Sequence, residues 1–189
     1  MRLIPLVLML TLAAALSAAA DSGHIEKEDR HSEAQRAANR RALLQAIPES
    51  DTLLIPASVP TVARIVVFTD TDCPYCALLH QRHELLSQLG VEIQYLFYPR
   101  SGPLSASFDQ AVAVWCSNDR VAAIGRVFQG AELPVTKCTH PVMEHYELAR
   151  KLNLLGTPAV ISADGSVHYG LPSRDDVLDL LQQSGRTIE

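Results

Sequence analysis

The cysteine pair Cys73-Pro74-Tyr75-Cys76 stands between an apolar strand-like run and a helix-like run, and few folds accommodate that order. Upstream, Arg64-Ile65-Val66-Val67-Phe68 is β-branched and apolar, and reads as a buried central strand. Pro74 to Leu89 reads as one helix with Leu78, Leu79, Leu85, Leu86 and Leu89 on its inner face, closed by Gly90. Val91 to Tyr98 alternates apolar and polar residues and reads as a second strand. A strand–helix–strand unit implies a right-handed crossover and a parallel pair.

The remaining elements follow from turn and cap signals. Leu53-Leu54-Ile55 is a short strand ahead of Pro56 and Pro60. Ser105 to Gln129 is helical in two pieces, broken near Ser117-Asn118-Asp119, and Pro141 to Leu152 is another helix. Ala159 to Ile161 and Val167 to Tyr169 form an antiparallel hairpin around Asp164-Gly165. Arg174 to Gln183 is a closing helix with Ser173 as its N-cap. The fold class is therefore α/β, in the order β-α-β, helical insert, β-β-α.

Compartment comes from the first twenty residues. Arg2, the apolar run Leu3 to Leu16 and Ser17-Ala18-Ala19-Ala20 have the three parts of a signal peptide cleaved near Ala20. An uncleaved anchor is the alternative, but the run is at the lower limit of a membrane span. Export would place the cysteines in an oxidising environment. Residues 21–50 are charged, then Ala- and Arg-rich. They predict a solvated helix from Glu33 to Ile47, ended by Pro48, with Leu43, Leu44 and Ile47 as a weak apolar face. A length of 189 residues fits one compact domain plus a short element, residues 51–189 here, and a net charge of −5 argues against nucleic-acid binding. Four cysteines are too few to replace a hydrophobic core.

The cysteine spacing carries specific chemistry. Cys73 falls at a helix start, where unpaired N–H groups and the positive dipole end favour a thiolate. Pro74 fits the first helical turn, where a missing N–H costs nothing. Cys76, one turn on, can close a ring with Cys73 or release a trapped mixed disulfide. Half of a zinc site is the competing reading, with His80 and His83 as further ligands. The exported setting and the strand-to-helix position favour redox chemistry, with no metal or other cofactor. His140, His145 and His168 are scattered and read as surface or turn residues. Thr157-Pro158 stands at the entrance of a strand, where an X-Pro bond can be cis or trans.

Five landmarks in order now resemble a known family. Phe68-Thr69-Asp70-Thr71-Asp72-Cys73-Pro74-Tyr75-Cys76, Tyr95-Leu96-Phe97-Tyr98-Pro99-Arg100, Trp115-Cys116, Cys138 and Gly156-Thr157-Pro158-Ala159-Val160 are similar to the thioredoxin-fold domain of the DsbC/DsbG family of bacterial periplasmic disulfide isomerases. Trp115-Cys116 and the later Cys138 resemble DsbC, whereas Pro-Tyr between the cysteines is the DsbG-like choice. The resemblance implies a thioredoxin-like fold with a helical insertion at about residues 105–152. It implies that Cys73 is the nucleophile and Cys76 the resolving thiol, within the active-site loop of Pro74 and Tyr75. It implies that Pro158 is cis and faces the pair, and that Thr157 and Pro158 offer backbone groups to an extended substrate. It also implies exported protein substrates carrying disulfides, and a membrane thiol reductant of the DsbD type. Residues 21–50 are shorter than the family's N-terminal dimerisation domain, so only a linker helix is expected there.

Four cysteines allow three pairings. The resemblance implies Cys116–Cys138, a staple on the helical insert contributing about 3 kcal/mol through the unfolded chain. A second redox relay is disfavoured because neither cysteine lies in a C-x-x-C. Many thioredoxins bury a carboxylate six residues before the first cysteine. That position is Val67 here, with Asp70 and Asp72 read as loop or cap residues and proton transfer to Cys76 left to water or a substrate group. Two functional classes follow: a thiol:disulfide oxidoreductase, or a non-catalytic peptide-binding module whose 73–76 disulfide is structural.

Overall fold

The computed structural model describes residues 32–135 and 137–183. The expected signal peptide, and the charged segment up to residue 31, lie outside the described residues. Residues 32–45 form helix α1. Five strands follow: β1 (Leu53–Ile55), β2 (Ala63–Thr69), β3 (Val91–Phe97), β4 (Ala159–Ile161) and β5 (Val167–Tyr169). The remaining helices are α2 (Pro74–Gln81), α3 (His83–Gln88), α4 (Ala106–Trp115), α5 (Arg120–Phe128), α6 (Val142–Lys151) and α7 (Arg174–Gln183). The strands make one mixed sheet in the order β1-β3-β2-β4-β5. β2 lies at its centre, parallel to β3 and antiparallel to β4. No helix among the described residues is long and apolar enough to cross a membrane.

The two-residue period of the strands sorts their side chains onto two faces. Ile65 and Val67 of β2 join Ile93, Tyr95 and Phe97 of β3 in a core closed by α2–α5 and by Leu180 and Leu181 of α7. Phe68, Leu96, Ala159 and Ile161 point to the other face, against Ala149 of α6 and Leu154. The sheet is thus covered on both sides, and the C-terminal end of β2 delivers the chain straight into the Cys73 turn.

Caps set the helix starts. Ser105 Oγ accepts the Phe108 N–H at 3.2 Å, and Asp119 Oδ1 accepts the Ala122 N–H at 2.9 Å, which separates α5 from α4. Ser173 and Asp176 bond reciprocally at the start of α7.

Three sequence expectations need correction. The single helix predicted from Pro74 to Leu89 is broken at Arg82, whose N–H bonds back three residues to the Leu79 carbonyl. His83 Nδ1 takes the next carbonyl, that of His80, at 2.5 Å. Leu79 and Leu86 are buried while Leu78 and Leu85 are 43% and 59% exposed, so only part of the predicted apolar face points inward. His145, expected at the surface, is 2% exposed. Its neutral ring satisfies two backbone groups: Nε2 donates to the Asp51 carbonyl at 2.7 Å and Nδ1 accepts the Phe97 N–H at 3.3 Å. Burial lowers its pKa to about 4, which keeps it uncharged in that role.

Helix α1 is more firmly held than a solvated helix. Arg40 is buried and donates from Nε to the Gly165 carbonyl at 2.6 Å, while also pairing with Glu33. Arg41 reaches the Asp164 carbonyl at 3.1 Å. Leu44, and Ile47 just beyond the helix, pack on the second core. The β4–β5 turn is therefore a docking block for α1. Gly165 has φ +87°, and a Cβ there would collide with the Ala37 carbonyl. Gly165→Ala should release α1 from the sheet while leaving the cores intact, read as faster tryptic cleavage at Arg40 and Arg41. Unchanged protection would contradict the docking role.

Candidate active site

Cys73 is the N-cap of α2, with extended backbone at φ −92° and ψ 115°, and Pro74 opens the first turn. Its Sγ accepts the Cys76 N–H at 3.3 Å, one of the donors a helix start leaves unpaired. Its own N–H bonds to the Asp70 carbonyl at 3.2 Å. Tyr75 stands out at the rim, 59% exposed, whereas Cys73 and Cys76 are buried free thiols.

The strand β4 side contributes the facing loop. The Thr157–Pro158 bond is cis. The Thr157 carbonyl accepts from Cys73 Sγ at 3.3 Å, so the structure brings this loop against the cysteine pair. The Gly170 N–H donates to the Pro158 carbonyl at 2.9 Å and the Leu155 N–H to the Tyr169 hydroxyl at 3.2 Å. The hairpin therefore holds the loop at both ends.

The two sulfurs sit in opposite electrostatic surroundings. The pKa of Cys73 is lowered to about 6, first because the Cys76 thiol donates a hydrogen bond to it. Burial opposes the shift. The Thr157 side chain, the Cys76 N–H and the Arg100 charge add to it. Cys76 is pushed upward by burial and by its bond to Cys73, and stays a protonated thiol. The arrangement offers one ready nucleophile and one held in reserve.

Two further residues were missed or misread in the sequence. Asp70 does lie in the loop just after β2, but it is buried there, 1% exposed, and its Oδ2 accepts from the Arg100 N–H and Nε at 2.8 and 2.9 Å. Arg100 also reaches Asp72 at 3.0 Å. The sequence shows Pro99-Arg100 directly after β3, but the pairing across two loops needs the parallel register of β2 and β3 to become visible. His80 is buried against Tyr95 and Phe128 and stacks on His83, with Nδ1 3.4 Å from the Tyr95 hydroxyl. Among the described residues, no group of three or more His, Cys, Asp or Glu could hold a metal ion. Cys116, at the end of α4, is disulfide-bonded to Cys138 with Cα atoms 5.8 Å apart, tying the helical insert to the segment before α6.

Several known proteins are similar to this chain. The family model of the thioredoxin-like domain matches residues 60–185. The thiol:disulfide interchange protein DsbC of Escherichia coli K12 is 32% identical over 119 residues, 63% of this chain and 50% of that protein. DsbC of Haemophilus influenzae is 31% identical over 122 residues, 65% of this chain and 53% of that protein. The chain spans about half the length of the curated relatives it matches. In fold it is similar to a disulfide interchange protein from Neisseria gonorrhoeae, with a TM-score of 0.61 and 21% identity over 75% of this chain and 100% of that one. It is likewise similar to Proteus mirabilis ScsC in a transitional conformation, with a TM-score of 0.60 and 20% identity over 96% of this chain and 98% of that one.

The depressed Cys73 pKa has a signed consequence for stability. The thiolate's contribution is complete above the ordinary thiol range and is lost as pH falls through about 6. Thermal unfolding of the reduced protein, compared with the oxidised protein, should show a stability difference that grows from about pH 6 to about pH 8.5 in favour of the reduced form. A difference independent of pH would contradict the asymmetry.

Proposed function

The chain belongs to the thioredoxin-like domain family, and on that premise we propose that it is an exported, periplasmic thiol:disulfide oxidoreductase that exchanges disulfides in other exported proteins. The observation that carries the reading is the Cys73 sulfur, bonded by Cys76 at the start of α2 and facing the cis-Pro158 loop. The DsbC relatives, described as thiol:disulfide interchange proteins, support the same chemistry. The catalytic unit is residues 51–189, with the insert at about 105–152, and residues 1–20 direct export.

The Cys73 thiolate attacks one sulfur of a substrate disulfide. A Cys73–substrate disulfide forms, the substrate S–S bond breaks, and the other substrate sulfur leaves as a thiolate that takes a proton from water. Cys76 then gives up its proton to water or a substrate group and attacks the Cys73 sulfur. The 73–76 disulfide forms and the second substrate thiolate leaves, so two electrons pass from the protein to the substrate. Alternatively a neighbouring substrate thiolate displaces Cys73, which reshuffles the substrate without net electron flow and serves isomerisation. The backbone at Thr157 and Pro158 receives the substrate as an added strand. A membrane thiol reductant of the DsbD type returns the pair to its reduced form after a net reduction.

Cys73→Ser should bring insulin reduction and the refolding of scrambled ribonuclease down to background. Cys76→Ala should keep the attack and accumulate mixed disulfides with substrates, seen as adducts on a non-reducing gel. Full activity of the Cys73→Ser protein would overturn the reading in favour of a binding module.

A further inference from the structure

Among the described residues, the carboxylate of Asp70 is a buried acidic group close to the cysteine pair that the exchange chemistry leaves unused. It lies one residue beyond β2, 1% exposed, and burial raises its pKa above the ordinary carboxylate value. Oδ1 is buried without a hydrogen-bond partner. Oδ2 holds Arg100 twice, through the backbone N–H and Nε. The far end of the same guanidinium reaches Asp72, the residue immediately before Cys73. Arg100 therefore spans the stretch from Asp70 to Asp72 as a brace, while the Asp70 carbonyl receives the Cys73 N–H.

The outer half of this arrangement adds little stability. A half-exposed ion pair such as Arg100–Asp72 contributes about 0–1 kcal/mol. Burying a carboxylate whose second oxygen is unsatisfied works against the fold. What the brace does achieve is a cation fixed to Asp72, the residue next to Cys73, and to Asp70, whose carbonyl holds the Cys73 N–H.

We propose that Arg100, held by Asp70 and Asp72, is a positioning residue whose charge tunes the reactivity of the Cys73 thiolate. This deepens the exchange function proposed above and rests on it. The groups that bear on Cys73 are Cys76 from α2, the Thr157 carbonyl and side chain from the cis-Pro loop, and Arg100 from the segment after β3. Asp70 and Asp72, from the segment after β2, act on it through Arg100. The thiolate and the guanidinium favour each other's charged forms, which follows from placing opposite charges close together. When Cys73 attacks, negative charge leaves its sulfur for the departing thiolate, so the cation acts before that step, by lowering the sulfur's affinity for a proton in the resting enzyme.

The test is the pH profile of Cys73 alkylation in the reduced full chain, measured for the unaltered protein, Arg100→Gln and Arg100→Lys. Below the midpoint, each unit of upward shift is a tenfold loss of thiolate. Arg100→Gln should move the midpoint upward and slow alkylation near pH 6 by roughly three- to tenfold. Arg100→Lys, which keeps the charge but not the fork, should stay within roughly twofold of the unaltered protein. Equal shifts in both variants, or none in Arg100→Gln, would overturn the proposal. Should Arg100→Gln fail to fold, the unaltered protein decides: molar salt screens the half-exposed guanidinium and should raise the Cys73 midpoint, and a midpoint insensitive to salt overturns the proposal. Insulin reduction by Cys73→Ser, run alongside, separates the two readings. Background activity there, with no Arg100 effect, removes only the tuning role, whereas full activity removes the exchange function itself.

Discussion

Burial acts on two sulfurs one helical turn apart, and the hydrogen bond between them converts that burial into a difference in acidity. The Cys76 thiol donates, the Cys73 sulfur accepts, and so the negative charge has one preferred home. The helix start strengthens the preference, since the Cys76 N–H also points at Cys73. Everything else near the site either holds this geometry or faces it with a complementary group.

The scaffold explains why the geometry can be rigid. β2 is central in the sheet and covered on both faces, so its C-terminal end has little freedom where it becomes the Cys73 turn. Strand β4 pairs with β2 on one side and delivers the cis-Pro loop, which the β5 end pins from behind. Strand β3 pairs on the other side and delivers Arg100. The three strand ends that meet the cysteines are hydrogen-bonded neighbours, so the site inherits the precision of the sheet rather than the mobility of its loops. The disulfide between Cys116 and Cys138 constrains the helical insert that covers one face, and α1 braces the other through the β4–β5 turn.

Much of this is legible in the residues. The apolar run at Arg64–Phe68, the alternation of Val91–Tyr98 and the Asp164-Gly165 turn each have a local cause, and all three elements form where those signals stand. So do the two helices separated at Ser117-Asn118-Asp119, because Asp119 supplies its own cap. What escapes is one local break and several features made by partners far apart in sequence. The break at Arg82 goes with His83 capturing the His80 carbonyl, and Leu78 and Leu85 of the leucine stripe face solvent. His145 reads as a surface histidine until the Asp51 carbonyl and the Phe97 N–H are brought to its two nitrogens. Asp70 reads as a loop aspartate until the β2–β3 register sets Arg100 beside it. Periodicity reports which face a residue shares, not which distant polar group will meet it there.

The equilibrium of the 73–76 pair with a glutathione buffer tests the account most directly. A Cys73 pKa of about 6 stabilises the reduced state more than a thioredoxin-like thiol with a pKa near 7 does, and less than a strongly oxidising one with a pKa near 3.5. The account therefore predicts a reduction potential between about −270 mV and about −120 mV. A potential below about −300 mV would contradict it, because the pair would then be a structural disulfide and not an exchanging one.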